Sequence, residues 1–323
     1  MARPVPDFEG FVGQRRTISL VRRHLDGSID AGTPFPNTLL SGPPGYGKSS
    51  LARAIASARG TAMTKVVAAR DMKSAHMHAL LEPLKHGDLL LIDEAHQLRP
   101  ELQDYMLGAT GEDRQVQVPA EHVARGAHRT DVAPVADFTL VVATDQPGQL
   151  RKALRSRIQL ELPLEPYTDK ELREIAARVC AREGVPVSTH AITLIAHASR
   201  GVPRRAGQLA DLLRTYFPGL KSELSKGDVR SFLQCHGYDD HFMLPSERRY
   251  LKELRLFGRP ARLHYMANVT GQDVGRIRNE IEPELMRRRL VEIVPGGRVL
   301  TSVGRALVEE ELATLDNAGS EQE

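Results

Sequence analysis

Eight consecutive residues near the start of the sequence have the composition of a phosphate-binding loop. Gly42 to Ser49 read GPPGYGKS and match the pattern GxxxxGK[ST]. The glycines let backbone N–H groups turn inward around a β-phosphate, Lys48 can reach the β- and γ-phosphates, and the Ser49 hydroxyl can bind Mg2+. The residues predicted to bind nucleotide here are Gly42, Pro43, Pro44, Gly45, Tyr46, Gly47, Lys48, Ser49 and Ser50.

Two carboxylates follow an apolar run and could complete a hydrolytic site. Leu89 to Ile92 precede Asp93 and Glu94, and a buried strand ending there would set both at the carboxyl edge of a parallel sheet. Asp93 is predicted to hold Mg2+ with Ser49, and Glu94 to orient the water that attacks the γ-phosphate. His96 is predicted to be a structural or sensing residue, because no second metal ligand has suitable spacing. Together with the phosphate loop, the pair predicts an ATP hydrolase.

Short apolar runs alternate with helical stretches through the first half of the chain. This alternation predicts a parallel sheet covered by helices on both faces, an α/β fold. The predicted strands are Thr38 to Leu40, Thr64 to Val67, Leu89 to Ile92, Phe138 to Ala143 and Ile158 to Leu162.

Pro163 to Pro166 break that pattern, and the next segment is helical. Thr168 and Glu171 have the spacing of a capping box, Ser188 can cap a second helix, and Pro203 suits the first turn of a third, which is predicted to end near Phe217. The segment is predicted to be a small helical bundle.

A third unit is predicted from Pro245 onward. Helical patterns begin near Pro245 and cover Ala261 to Asn268 and Gln272 to Arg289, and two β-like runs then flank Pro295-Gly296-Gly297. Three helices followed by a hairpin are typical of a winged helix, which mostly binds nucleic acid. The predicted domains are 1–164 (nucleotide-binding), 165–241 (helical), 242–312 (winged helix) and 313–323 (a disordered tail).

Composition excludes several classes of protein. The chain has 323 residues, 41% of them hydrophobic, and a formal net charge of +3, so it is predicted to be globular. Cys180 and Cys235 form no CxxC pattern, which argues against a disulfide framework and a zinc site. The N-terminus lacks an apolar signal region and no apolar run reaches membrane-span length, so the cytoplasm is predicted.

Motifs along almost the whole chain resemble the RuvB family of bacterial Holliday-junction branch-migration motors. They include Phe11-Val12-Gly13-Gln14, the phosphate loop, IDEAHQL, FTLVVATD, Leu154-Arg155-Ser156-Arg157, Pro166-Tyr167-Thr168, Gly201-Val202-Pro203-Arg204, Glu282-Pro283-Glu284-Leu285 and Gly296-Gly297-Arg298. The resemblance implies an AAA+ αβα domain, a helical lid and a winged helix, assembled as a hexameric ring around duplex or four-way junction DNA. It also implies RuvA as a junction-binding partner and a role in recombination and repair.

The resemblance also implies roles for individual residues. Arg155 or Arg157 would be the arginine finger that reaches a neighbouring subunit's γ-phosphate. Arg204 would sense the nucleotide, and Arg3, Val12 and Tyr167 would hold the adenine. Thr144 and Asp145 occupy the segment beside the γ-phosphate. The residues predicted to contact DNA are Arg276, Arg278 and Arg298.

Three features depart from the family pattern. Asp145 stands where the family usually has threonine, and its carboxylate would repel a γ-phosphate, which predicts slower or differently gated hydrolysis. The segment Arg114 to Ala136 aligns with the hairpin that grips RuvA, but its tip is polar. The wing has few basic residues, which predicts that one subunit binds DNA weakly or that several subunits of a ring must bind the same DNA together. The polar residues of the tip are His122, Arg125, His128 and Arg129.

Two alternatives therefore stay open beside the branch-migration motor. One is a RuvB-like AAA+ ATPase that remodels another DNA or protein complex, in a mobile-element or defence system. The other is an ATP switch of low turnover.

Overall fold

A computed structural model describes residue 8 and residues 10–119, 132–220 and 222–310. The strands are β1 (Thr38–Ser41), β2 (Met63–Val67), β3 (Leu89–Asp93), β4 (Gln115–Gln117), β5 (Val132–Pro134), β6 (Thr139–Thr144), β7 (Leu160–Pro163), β8 (Val291–Val294) and β9 (Gly297–Leu300). The helices are α1 (Arg15–Asp30), α2 (Lys48–Arg59), α3 (Ser74–Leu81), α4 (Pro100–Ala109), α5 (Lys152–Arg155), α6 (Asp169–Arg182), α7 (Thr189–Ala198), α8 (Pro203–Tyr216), α9 (Lys226–Cys235), α10 (Pro245–Phe257), α11 (Leu263–Thr270), α12 (Val274–Arg276), α13 (Glu282–Arg287) and α14 over residues 302–310.

The chain forms two compact units. The first comprises Met1–Arg182 and Gly201–Asp211, and the second comprises Glu183–Arg200 and Leu212–Glu323. The domain boundaries predicted from the sequence stay a prediction. Arg3, the polar hairpin tip and the tail 313–323 lie outside the described residues. No helix in the described ranges is long and apolar enough to cross a bilayer.

The first unit is built on a sheet of five parallel strands, which confirms the predicted α/β fold. The strand order is β2-β3-β6-β1-β7, so β6 lies between β1, which leads into the phosphate loop, and β3, which ends at Asp93. The carboxyl ends of parallel strands meet at one edge of a sheet. Thr144, the last residue of β6, therefore lies between the phosphate loop and the Asp93-Glu94 pair.

Side chains of the central strands alternate between two hydrophobic cores, as the period-2 geometry of a strand requires. In β3, Leu90 and Ile92 enter one core and Leu89 and Leu91 enter the other. Each buried leucine contributes about 1.5–3 kcal/mol. Helices α3, α4 and α5 cover the first core, to which they contribute Met77, Leu102 and Leu154. Helices α1 and α2 cover the second core, to which they contribute Val21 and Leu51.

A short hairpin extends from the first unit. β4 and β5 pair antiparallel, with Gln117 opposite Val132, and Val116 is buried in the core. This is the base of the hairpin that the sequence predicted between Arg114 and Ala136.

The second unit contains helices with strong caps. Ser188 caps α7 by accepting a hydrogen bond from the Ala191 N–H at 3.3 Å, as predicted from its position. Helix α9 was not predicted, although Ser225 and Asp228 form a capping box at its start. An acidic residue three positions after a serine was the available signal.

A buried ion pair stabilises the second unit. Arg200, just after α7, donates from Nη1 to Glu247 Oε1 at 2.6 Å and from Nη2 to Oε2 at 2.5 Å, and both side chains are at most 3% exposed. The Glu247 carboxylate also accepts from the Leu244 N–H at the start of α10. One carboxylate thus links the end of α7 to the first turn of α10.

The winged helix of the second unit has a core around Tyr250, Met266, Ile277 and Leu285. The wing is the antiparallel pair β8–β9, which turns at Val294 opposite Gly297. Gly297 has φ +151°, and a Cβ there would lie 2.3 Å from the Ala261 carbonyl oxygen, so the backbone approach requires glycine.

The single helix predicted over Gln272 to Arg289 is wrong. It is interrupted by a π-helical turn over Ile277–Ile281, between α12 and α13. Pro283, in the first turn of α13, has no N–H to donate and its ring crowds the carbonyl four residues earlier, at Asn279. The π turn widens the helix at that point.

Candidate nucleotide-binding and hydrolysis site

The phosphate loop is held closed by its own lysine. Lys48 Nζ donates to the carbonyl oxygens of Gly42 at 2.6 Å and Pro43 at 3.2 Å. Burial lowers the pKa of this ammonium, and the carboxylates of Glu94 and Asp93 oppose the shift. Gly47, with φ +101°, ends the loop at the start of α2. The charge needed for a phosphate is thus already inside the loop.

The two residues predicted to bind a metal ion, Ser49 and Asp93, lie in direct contact. Ser49 Oγ donates to Asp93 Oδ2 at 2.9 Å, and one carboxylate plus one hydroxyl fits Mg2+, which takes its other ligands from phosphates and water. Lys65, which the sequence did not single out, places Nζ 2.7 Å from the same Oδ2. Burial would raise the pKa of Asp93, but hydrogen bonds from Lys65 and Ser49 outweigh it and lower the pKa.

Glu94 and Asp145 converge on one histidine. His96 Nδ1 lies 3.6 Å from Glu94 Oε2, 3.4 Å from Asp145 Oδ1 and 3.0 Å from Thr144 Oγ1. On the other side of the ring, Nε2 lies 2.8 Å from the side-chain amide nitrogen of Gln97, so Nδ1 is the ring nitrogen that faces the two carboxylates. His96 thus stands between the candidate catalytic base and Asp145, and its Nδ1 hydrogen bond goes to Thr144 Oγ1.

Sequence spacing around His96 gives no sign of this cluster, because Asp145 comes from another strand. Ligand atoms of Glu94, His96 and Asp145 all lie within 4.8 Å of one another. Glu94 has φ +52°, an uncommon conformation for a residue other than glycine, which turns the chain after β3 toward this cluster.

Arg204 lines the same cavity as the phosphate loop and the two carboxylates. A cavity of about 500 Å³ is lined by the loop residues Pro44, Gly45, Gly47, Lys48, Ser49 and Ser50, by Asp93 and Glu94, and by α6 and Arg204. The backbone N–H of Arg204 donates to the carbonyl oxygen of Gly45 at 3.4 Å. A Cβ on Gly45 would lie 2.6 Å from Val202 Cγ1, so this loop position requires glycine.

Aromatic residues flank the loop near the N-terminal segment. The Tyr167 hydroxyl donates to the Tyr46 carbonyl at 2.9 Å, and the two rings meet edge to face with centroids 5.7 Å apart. Burial raises the pKa of Tyr167 to about 12. Val12 is buried, and a Cβ on Gly13 would lie 3.2 Å from Tyr167 Cδ1. Val12 and Tyr167 thus lie on the same side of the loop, where the adenine was predicted to bind.

The two candidate finger arginines differ in their surroundings. Arg155 is paired in the chain, with Nε 2.8 Å from Glu161 Oε1 and Nη2 2.9 Å from Oε2. Arg157 is exposed, and its guanidinium has no ion pair with any residue the structure describes. Arg157 is thus the more available of the two.

The three arginines predicted to contact DNA lie in different environments. Arg276 and Arg278 are exposed, and Arg276 donates to Gln272 Oε1 at 2.8 Å. Arg298 is 16% exposed and donates from Nε to Glu282 Oε1 at 2.8 Å and from Nη2 to Oε2 at 3.2 Å. Contact of Arg298 with DNA stays a prediction, and it would require this ion pair to open.

Two family models match the chain. Residues 3–164 match the Holliday junction DNA helicase RuvB P-loop domain, and residues 243–309 match the RuvB C-terminal winged helix domain. Among curated proteins, the Holliday junction branch migration complex subunit RuvB of Thermotoga maritima is 32% identical over 295 residues, covering 90% of this chain and 87% of the relative. The subunit of the same name from Parasynechococcus marenigrum is 30% identical over 311 residues, covering 94% and 88%.

Solved structures agree with these matches. The Thermotoga maritima RuvB Holliday junction branch migration motor superposes with a TM-score of 0.79 at 28% identity, covering 95% of this chain and 98% of that one. A point mutant of the same Thermotoga protein superposes with a TM-score of 0.81 at 29% identity, again covering 95% of this chain and 98% of that one. The similarity therefore extends from the phosphate loop to the wing.

Proposed function

The chain belongs to the RuvB family, and from this membership we propose that it hydrolyses ATP to drive branch migration of Holliday junctions. The observation that carries the proposal is the set of residues around one cavity: Lys48, Ser49, Asp93, Glu94 and Arg204. A loop, two carboxylates and a sensor arginine are what hydrolysis of a nucleoside triphosphate requires, since catalysis there is mostly positioning and charge stabilisation.

We assign the residues as follows. Ser49 and Asp93 hold Mg2+, which supplies positive charge to the phosphates. Lys48 leaves the carbonyls of Gly42 and Pro43 and binds the β- and γ-phosphates. Glu94 orients a water for in-line attack on the γ-phosphorus, and the bond to the β-phosphate oxygen breaks. Arg204 reports the nucleotide state through its contact with Gly45.

A neighbouring subunit completes the site in this proposal. The chain assembles as a ring, predicted to be hexameric, in which an arginine of one subunit stabilises the transition state in the next. We propose Arg157 as this finger, because Arg155 is already held by Glu161. Arg276 and Arg278 contact DNA phosphates without reading bases, as a motor that moves along any sequence requires.

A branch-migration assay tests the function directly. A synthetic four-way junction is incubated with the wild type or Glu94→Gln, with ATP and Mg2+, and with or without RuvA. We expect RuvA-stimulated conversion to two duplexes by the wild type, and a loss of at least about 100-fold in Glu94→Gln, since the water is no longer oriented.

Three outcomes distinguish the alternatives. ATP hydrolysis without any junction movement favours remodelling of another complex, which Asp145 and the polar hairpin sequence also support. Equal and low turnover by the wild type and Glu94→Gln favours an ATP switch. Junction movement that Glu94→Gln retains would show that Glu94 is not the catalytic carboxylate.

A further inference from the structure

Lys65 contacts both oxygens of the predicted metal-binding pair. It lies on β2, which pairs in parallel with β3 so that Val67 is opposite Asp93. Lys65 Nζ is 2.7 Å from Asp93 Oδ2 and donates to Ser49 Oγ at 3.1 Å. Since Ser49 Oγ donates to the same Oδ2 at 2.9 Å, the three polar atoms form a closed triangle.

A divalent ion and this ammonium would compete for the same two oxygens. Mg2+ binds oxygen ligands at about 2.0–2.1 Å. An ion bound to Ser49 Oγ and Asp93 Oδ2 would therefore lie against an ammonium that is held at 2.7 and 3.1 Å from them. Two positive charges that close repel each other, and solvent screens them only in part because the Asp93 side chain is 14% exposed, so the ion can bind only when the lysine moves away.

A purely structural role explains this contact less well. β2 and β3 are already paired from Met63 opposite Leu89 to Val67 opposite Asp93. The Lys65 side chain is 35% exposed, and an ion pair with that exposure adds about 0–1 kcal/mol to stability. The sheet gains little from the lysine, whereas Asp93 gains a positive partner at the atom that the metal needs.

We infer that Lys65 is a tethered counter-ion that occupies the Ser49–Asp93 pair when no divalent ion is bound and competes with that ion during nucleotide loading. The inference rests on the proposed function, because it concerns the same nucleotide site. It has two consequences of opposite sign. Lys65 weakens the affinity for the divalent ion, and it strengthens the binding of nucleotide without metal by keeping a positive charge near the phosphates.

Binding of Mn2+ to the full chain tests the first consequence. Mn2+ is titrated by electron paramagnetic resonance into protein saturated with ADP, for the wild type, Lys65→Met, Lys65→Arg and Lys85→Met. Removing the competing charge should tighten Mn2+ binding in Lys65→Met about 5- to 10-fold, where tenfold corresponds to about 1.4 kcal/mol. Lys65→Arg, which keeps the charge, and Lys85→Met, an exposed lysine elsewhere in the first unit, should stay within about twofold of the wild type.

Binding of a fluorescent ADP analogue in EDTA tests the second consequence. Lys65→Met should bind it several-fold more weakly than the wild type, whereas Lys65→Arg should not. Damage to the fold would weaken the binding of both Mn2+ and the ADP analogue. Tighter Mn2+ binding together with weaker ADP binding in one variant therefore identifies a competing charge. If Lys65→Met does not fold, Lys65→Gln replaces it in both titrations.

The inference and the proposed function fail in different ways. If the wild type binds ADP but Lys65→Met binds Mn2+ no more tightly than the wild type, Lys65 is not a competitor and only the inference is overturned. If the wild type binds no ADP with or without Mn2+, the proposed function fails, and the inference fails with it.

Discussion

At the scale of single residues, Asp145 is where the proposed hydrolytic site departs from the family pattern. Its carboxylate lies 3.4 Å from His96 Nδ1 and contributes to the negative field at Lys48. The same Nδ1 lies 3.6 Å from Glu94 Oε2, so the imidazole ring separates the two carboxylates. The charge that remains acts against a γ-phosphate, which is itself negative.

Asp145→Asn is therefore expected to accelerate ATP hydrolysis. The amide keeps the size of the side chain and removes its charge, so kcat/KM for ATP should rise about 3- to 10-fold, or about 0.7–1.4 kcal/mol. Steady-state ATPase assays measure it, with Asp104→Asn, an exposed partner of Arg151 on α4, as the matched control. An unchanged or lower kcat/KM would show that the Asp145 charge does not act on the phosphate.

Local sequence predicted much of this site, and long-range geometry supplied the rest. Roles for Lys48, Ser49, Asp93 and Glu94 are predicted from neighbours in the chain, and those roles stay predictions. Lys65 and the partnership of His96 with Asp145 depend on the strand order β2-β3-β6-β1, which no local pattern encodes. The same limit applies to Arg298, whose partner Glu282 lies on another element.

At the scale of elements, the strands of the parallel sheet and helices α6, α7, α8, α10 and α11 agree with the sequence patterns, whereas α9 and the π turn do not appear among the predictions. The five parallel strands lie within one or two residues of the predicted runs. The π turn before Pro283 was missed because the apolar spacing of Ile277, Ile281 and Leu285 also fits an α-helix. A missing N–H, rather than hydrophobicity, determined the backbone there.

The Arg200–Glu247 pair predicts a large loss of stability when one partner is removed. Arg200→Met leaves a buried carboxylate without its cation, so the free energy of unfolding should fall by about 3–5 kcal/mol. Arg178→Met removes an exposed i,i+4 pair with Glu174 and an exposed hydrogen bond to the Gly10 carbonyl, and it should cost at most about 1 kcal/mol. Urea denaturation of both variants measures the difference. Equal midpoints would mean that Glu247 is protonated or solvated without Arg200.

At the scale of the whole molecule, the proposal requires that one subunit complete another's site, and mixing two inactive variants tests this. Arg157→Ala retains its own phosphate loop, and Glu94→Gln retains its finger. Alone, the finger variant should lose at least about 1,000-fold in ATPase activity, and the carboxylate variant should lose about 100-fold. In a mixed ring, the Arg157→Ala subunit keeps its Glu94, and a neighbouring Glu94→Gln subunit keeps its Arg157. ATPase activity should therefore recover at sites where these two subunits meet in that order.

The matching variant Arg155→Ala separates the two arginines. It removes a residue already paired with Glu161, so it should retain most of its activity alone. The opposite result would assign the finger to Arg155. In that case Arg157→Ala would be active alone, and Arg155→Ala would be inactive alone but would recover ATPase activity when mixed with Glu94→Gln. No recovery with either arginine variant would argue against catalysis in trans.

The π turn over Ile277–Ile281 also changes how the winged helix can be redesigned. Arg276 and Arg287 are about three turns apart and would share a face on an uninterrupted helical wheel. The extra residue of a π turn rotates everything after it by about 100°, so the two arginines point in different directions. A single wheel drawn through residues 272–289 would misplace the substitutions made on one side of the turn, and two separate wheels, one for each side, are needed.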